Sequence, residues 1–365
     1  MKLSLFLGRI SGIKIFIHWT FILLIGWIAF MDFSQGKNVN ETIWTVTFYL
    51  TLFLCVFLHE LGHALAAKKY HINTKDITIL PIGGLARLER IPEIPRQELW
   101  VAVAGPLVNV AIAAILYLPV VLGLSDSQEY SIVSVTRDNF ISMVLYANII
   151  LVLFNLIPAF PMDGGRILRA LLAMKMDRAK ATKIAAGIGQ VLAVGFVLLG
   201  IFNGNFMLTI IGFFIYLGAR AESGYTQTSS SLRGYTVKDV LMTDFKVLDK
   251  QQPLVNAARL LLDGQTKDFL VIEDGRVAGT LSRSEMIKGL SSRGGHIPVE
   301  NVMNTEVNFL KADASLESIF PLSQQKDKAF FPVLDENDKL IGVVDSENII
   351  EFIMIREAIN KNNAG

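Results

Sequence analysis

Residues 53–67 read Phe53-Leu54-Cys55-Val56-Phe57-Leu58-His59-Glu60-Leu61-Gly62-His63-Ala64-Leu65-Ala66-Ala67. Two imidazoles and a carboxylate thus sit in a run apolar enough for a bilayer. A carboxylate at that depth costs on the order of 2.5–3.5 kcal/mol, so it needs a partner and a purpose. Positions i and i+4 share one helix face, which lets His59 and His63 hold one Zn²⁺ at about 2.0–2.1 Å with Glu60 beside the open position. A catalytic zinc takes three protein ligands and a water, so a third ligand must come from another segment.

The surrounding chain is built for a membrane. Of 365 residues 52% are hydrophobic and 18% charged, and the mean hydropathy is +0.45. Residues 1–220 carry 18 Lys+Arg and 12 Asp+Glu, whereas 221–365 carry 16 and 21, so a basic apolar portion is joined to an acidic polar one. This excludes a disordered chain and a basic nucleic-acid binder, and the single Cys55 excludes a disulfide scaffold. Apolar stretches able to cross about 30 Å of hydrocarbon lie near 15–33, 43–67, 98–123, 139–158, 184–202 and 206–219. The first is expected to remain a span, because no small-residue cleavage site follows Trp27-Ile28-Ala29-Phe30. Only Lys37 and Arg137 fall on one side of this arrangement and the other sixteen basic residues on the other. That bias predicts a multi-pass protein of the cell (inner) membrane with both termini and the polar tail in the cytoplasm. It also accounts for Arg166 and Arg169 without a further role.

A candidate third ligand follows the fourth span, in Asn155-Leu156-Ile157-Pro158-Ala159-Phe160-Pro161-Met162-Asp163-Gly164-Gly165-Arg166. Here an isolated acid stands between prolines that interrupt a helix and glycines that let backbone approach closely. The second and fourth spans both run inward, so His59, His63 and Asp163 all reach the cytoplasmic leaflet. Broken backbone at that depth is tolerable only where protein or a wet cavity lines it.

H-E-L-G-H in one span and N-x-x-P-x-x-x-x-D-G after another resemble the site-2 protease family of intramembrane zinc metalloproteases. Gly83-Gly84, within Thr78-Ile79-Leu80-Pro81-Ile82-Gly83-Gly84-Leu85-Ala86, is similar to that family's membrane-dipping strand, and Gly105-Pro106-Leu107-Val108-Asn109 to its G-P-x-x-N motif. The opening Gly8-Arg9-Ile10-Ser11-Gly12-Ile13-Lys14 through His18-Trp19 resembles the six-span branch with a cytoplasmic CBS tail. The resemblance implies regulated intramembrane proteolysis, a transmembrane protein substrate, zinc on His59, His63 and Asp163, and Glu60 as the catalytic base that accepts a proton from the activated water. It further implies that Asn109 and Asn155 serve the oxyanion or the substrate backbone, with Gly83 and Gly84 on the substrate-binding strand. A substrate helix hides its peptide bonds, so residues 72–90 are expected to be extended and to offer a strand edge to the unwound chain.

Residues 221–233, from Ala221 through the Ser229-Ser230-Ser231 run, read as a flexible linker. Beyond it Val237-Lys238-Asp239-Val240-Leu241-Met242-Thr243 is echoed by Val299-Glu300-Asn301-Val302-Met303-Asn304-Thr305. Two apolar runs, Phe269–Ile272 and Phe330–Leu334, each precede a Gly279-Thr280-Leu281 or Gly342-Val343-Val344 strand. This resembles a tandem CBS pair, with repeats at 234–295 and 296–357 and a tail at 358–365. Such pairs bind adenine nucleotides, which implies Ser282, Glu285, Asp345 and Asn348 as contacts, yet the expected acid of that motif is displaced here. Dimerisation, as a homodimer, or substrate docking is the alternative for this module.

The fold expected is therefore an α-helical polytopic domain over 1–220, with six transmembrane helices and a short membrane-associated β element, followed by a cytoplasmic α/β tandem CBS domain. No nucleic-acid partner is expected. The competing reading is a CBS-regulated transporter or inactive scaffold. In it His59, Glu60 and His63 are a buried polar network, Asp163 a helix cap, and Asn109 and Asn155 interhelical hydrogen bonds.

Overall fold

The computed structural model describes residues 4–81, 83–90, 92–123, 135–264, 267–323 and 330–363. Lys2, Ile82 of the expected strand and the last two residues of the tail lie outside them. Two compact units divide the chain, Met1–Thr226 and Gln227–Gly365.

The first unit opens as a hairpin of β1 (Ser4–Ile10) and β2 (Ile13–His18), turned at Ser11 and Gly12, both with positive φ. Helix α1 (Trp19–Ser34) follows, capped by the His18 side chain, and then α2 (Val39–Lys69), whose start carries an Asn38–Glu41 capping box. Next come β3 (Thr74–Leu80), β4 (Gly83–Leu88), α3 (Pro95–Val121), α4 (Phe140–Asn155), α5 (Asp163–Ala173), α6 (Arg178–Phe202) and α7 (Phe206–Ser231). The strands form one sheet in the order β1-β2-β3-β4, in which β2 and β3 are parallel and the other pairs antiparallel. The extended reading of 72–90 holds in β3 and β4. The expected first span is corrected, since residues 15–18 are strand and the helix begins at Trp19. Ile13 and Ile15 are buried beside the exposed Lys14, a period of two that pins one sheet face against α2 together with Ile77, Ile79, Phe53, Phe57 and Ala64.

Helices α2, α3, α6 and α7 are long and apolar enough to cross a membrane, whereas α1 and α4 are apolar but only 16 residues each. In the most apolar window of each long helix no more than 33% of residues are buried, and Ile115, Val191, Phe202 and Phe206 are each more than 70% exposed. Such a surface is stable only against lipid. Where helices meet, small residues allow close approach. A Cβ on Gly62 would lie 3.0 Å from Ala104 O on α3, and one on Gly212 would lie 2.7 Å from Ala193 O on α6.

The flexible reading of 221–233 is also corrected, because α7 runs unbroken to Ser231. Its Ser230 and Ser231 hydroxyls both donate to Gln227 O, so polar side chains that look like loop in sequence satisfy themselves on the helix.

In the second unit a 3₁₀ turn (Val237–Val240) leads into β5 (Val247–Asp249), α8 (Leu254–Asp263), β6 (Asp268–Glu273), β7 (Arg276–Ser282) and α9 (Arg283–Arg293). After a second turn (Val299–Asn301) the pattern repeats as β8 (Leu310–Lys311), α10 (Leu316–Ser323), β9 (Phe330–Leu334), β10 (Leu340–Asp345) and α11 (Ser346–Asn363), which takes up most of the expected tail. The echoed segments explain why the repeats belong together, for each completes the other's sheet. Met242 exchanges backbone hydrogen bonds with Val343 of β10, and Asn304 with Thr280 of β7. Val237 and Val240 pack in the core of the second repeat, and Val299 in that of the first. Gly279 and Gly342 admit these segments, since a Cβ at Gly342 would lie 2.5 Å from Met242 O and one at Gly279 2.7 Å from Asn304 O. Gly342→Val should therefore destabilise the pair as a whole by about 1–3 kcal/mol. The check is the denaturant midpoint of the second unit in the full chain.

Candidate metal centre

The last three turns of α2 aim His59 and His63 at α3. His59 Nδ1–H donates to Asn109 Oδ1 at 2.5 Å and His63 Nδ1–H to the Val101 carbonyl at 2.6 Å. Asn109 cannot be turned the other way, because its Nδ2 donates to Asn148 Oδ1 and Asn148 Nδ2 donates in turn to Val144 O, both at 2.8 Å. Each ring is thus held with a proton on Nδ1, which in the neutral imidazole turns the Nε2 lone pair to the centre. Those lone pairs face one another at 3.1 Å, and Asp163 Oδ2, from the first residue of α5, stands 3.0 Å from His59 Nε2 and 3.1 Å from His63 Nε2.

With both rings neutral, three electron-rich atoms face one another at that distance, an arrangement that a cation among them relieves. Their spacing is near the separation of about 3.3 Å that tetrahedral ligands on bonds of 2.0–2.1 Å require. The donor set of two imidazole nitrogens and one carboxylate oxygen suits zinc, and it is the one metal-capable cluster among the described residues. All three side chains are buried.

Glycine makes room for this cluster. A Cβ on Gly105 would fall 2.2 Å from His63 Nε2 and 2.7 Å from His59 Nε2, so α3 reaches the rings only because that side chain is absent. Asn109, one turn further on, then lands on His59. Gly164 and Gly165 do the same for the chain that enters from α4. A Cβ on the first would meet Ile157 O at 2.2 Å and one on the second Ala159 C at 2.6 Å, so the segment before Asp163 folds back on the start of α5. On the other side of α2, a Cβ at Gly84 would lie 2.5 Å from Glu60 Cγ, which sets β4 directly against the Glu60 side chain. Glu60 is half-buried, unlike its histidine neighbours. Gly83 begins β4 at φ +135, a region that favours glycine.

The two asparagines part company. Asn109 is fully buried, its oxygen taken by His59 and its NH₂ engaged by Asn148, so here its amide orients a ring. Asn155 is half-buried at the end of α4, with Nδ2 donating to Leu151 O. Asn148 and the Val101 carbonyl went unread in the sequence. An asparagine in an apolar span was the available signal for the first, and a backbone carbonyl gives none.

In the second unit the four residues read as nucleotide contacts cap helices. Ser282 and Glu285 form the capping box of α9, Asp345 Oδ1 accepts from Asn348 N, and Asn348 Nδ2 donates to Val240 O. They surround Asp268, whose carboxyl is pushed up to about 6 by burial and then by the charges of Asp345 and Glu285. A group that stays protonated longer in the folded state makes folding less favourable as pH rises from about 4 to about 6, and the penalty persists above.

Gly105→Ala should abolish metal retention, read as zinc content of the purified chain. Asp268→Asn should raise the unfolding midpoint of the second unit at pH 7.5, by about 1–2 kcal/mol after solvent screening, with no gain below pH 4. A pH series of thermal midpoints checks the sign.

Residues 47–133 and 127–199 match the family model for Peptidase family M50, and residues 237–292 and 299–355 match that for the CBS domain. The zinc metalloprotease MJ0392 of Methanocaldococcus jannaschii is 33% identical over 357 residues, 98% of each chain. The Synechocystis protein sll0528 is 26% identical over 377 residues, 98% of this chain and 97% of its own. Among solved structures, the site-2 protease from Methanocaldococcus jannaschii is 39% identical, with a TM-score of 0.45, covering 60% of this chain and 95% of that one. On the strength of the full-length likeness, the chain belongs to Peptidase family M50, the site-2 protease family of membrane zinc metalloproteases, and carries a tandem CBS pair.

Proposed function

We propose that this metalloprotease hydrolyses peptide bonds within or near a transmembrane segment of a membrane-protein substrate, releasing a fragment to the cytoplasm. The observation that carries this reading is the convergence of His59 Nε2, His63 Nε2 and Asp163 Oδ2 at 3.0–3.1 Å among helices whose outer faces suit lipid. In it, His59, His63 and Asp163 hold the zinc and Asn109 and Val101 O fix the two rings. Bound zinc supplies Lewis acidity towards a carbonyl and acidifies a water. Glu60 takes the proton from that water and returns it to the leaving nitrogen, and its half-buried position beside β4 leaves it accessible to both.

The substrate arrives as a strand. β4 is the edge of its sheet and runs past Glu60 at Gly84, so an unwound segment adding to that edge lays its backbone beside the base. Asn155 offers its amide to that backbone. Residues 1–220 form the protease domain, with α1 and α4 serving as short fifth and sixth spans of about 24 Å in a locally thin bilayer. The charge bias supports an inner-membrane location with cytoplasmic termini. The CBS repeats, 234–295 and 296–357, act as a regulatory or substrate-docking module that dimerises, a role favoured over nucleotide binding at Ser282, Glu285, Asp345 and Asn348 because the acids around Asp268 repel phosphate.

Glu60→Gln in the full chain should retain zinc and abolish cleavage of a co-expressed single-span substrate, with turnover reduced at least 10²-fold. Retained cleavage in that variant would remove Glu60 from the reaction.

A further inference from the structure

Arg169 is 1% exposed, although it belongs to a short helix rich in charge. Its Nε–H donates to Glu98 Oε1 of α3 at 2.8 Å, its Nη1–H pairs with Glu222 of α7, and its guanidinium lies over the Phe160 ring at 5.0 Å from the centroid. Arg178 at the start of α6 reaches the second oxygen of Glu98 at 3.4 Å. Two cations and two anions from four helices therefore close on one buried point, and nothing in the chemistry of the metal centre uses them.

The position of this cluster is what gives it meaning. Phe160 begins the three residues that precede Asp163, and Arg169 lies six residues after it on the same helix. Glu222 lies on α7 one turn beyond Gly218 and Ala219. A Cβ on Gly218 would lie 2.6 Å from Pro161, and Ala219 is buried in one cluster with Phe160. The segment that aims the Asp163 carboxylate is thus pinned from both sides: α7 presses on Phe160-Pro161, and Arg169 ties α5 to α7. Resting on the proposed metal centre, we infer that Arg169, Glu98 and Glu222 are positioning residues, an ionic latch that sets where Asp163 stands relative to the two histidines. Five residues after Glu222 the second unit begins, on the same continuous helix. Glu222 is therefore the point at which a displacement of α7 is passed to the third metal ligand.

The test uses the full chain with Glu222→Gln, which is nearly isosteric, and Arg169→Lys, which keeps the charge but loses the fork that serves two carboxylates. The zinc dissociation constant is measured by chelator competition, the Co²⁺-substituted protein by visible absorption, and cleavage as separate kcat and KM. Both variants should bind zinc at least 10-fold more weakly and shift the Co²⁺ bands, with kcat reduced and KM little changed. Phe21→Ala, which empties core volume on α1 and touches none of the four charges, separates positioning from plain loss of stability and should leave zinc affinity within twofold. Zinc affinity and cobalt spectrum within twofold of the parent in Glu222→Gln would overturn the latch, as would an equal loss in Phe21→Ala. If the parent holds zinc but cleaves nothing, the protease reading fails while the zinc constants still decide the latch; if the parent holds no zinc, both fall.

Discussion

Two imidazole lone pairs and a carboxylate oxygen, held about 3 Å apart inside a helical bundle with an apolar exterior, dominate the architecture of the first unit. Such a cluster is expensive to desolvate and repels itself, so every neighbouring element is shaped to keep it in place. Helix α3 supplies acceptors that strip the Nδ1 protons from competition for the centre. The Asn109–Asn148 chain makes those acceptors directional. Each of these contacts depends on backbones coming closer than side chains would allow, which is why Gly105, Gly164 and Gly84 each stand at a point of contact.

The helix that carries Asp163 illustrates how position and chemistry are divided. Its first residue faces the histidines, its glycines accept the folded-back chain from α4, and its far end is anchored by a buried arginine. Breaking one partner of a buried ion cluster leaves an uncompensated charge, so the arrangement favours a single geometry more than it favours stability. Membership of a metalloprotease family sets aside the transporter alternative, in which the same polar groups would have lined a permeation path.

Much of this was legible in the order of residues. His59 and His63 announce themselves because i and i+4 share a face and because ionisable groups are rare in apolar runs, and the isolation of Asp163 among prolines and glycines singles it out for the same reason. What could not be read were relationships fixed only by packing. The G-P-x-x-N spacing puts Gly105 and Asn109 on one face of α3, but not which way that face turns, so the contact of the Asn109 oxygen with the His59 ring could not be read from it. Arg169 fits the charge bias of cytoplasmic connections and so hid in plain view, its partners lying 71 and 53 residues away. The hairpin at 4–18 was masked by Phe16, which breaks the polar slots of Lys14 and His18 that alternate with Ile13, Ile15 and Ile17. The serine-rich end of α7 has the composition of a tether, and only its continuity with a long apolar helix makes it a rod.

That rod has a mechanical meaning. An unbroken helix fixes angular phase as well as spacing along its length. Each residue added to or deleted from α7 between Gly218 and Glu222 would turn the Glu222 carboxylate by about 100° about the helix axis, away from Arg169, while Gly218 kept its place on Pro161. The length of this stretch is therefore constrained by angular register, and insertions tolerated in an ordinary loop would here part the two contacts that α7 makes around the Asp163 segment.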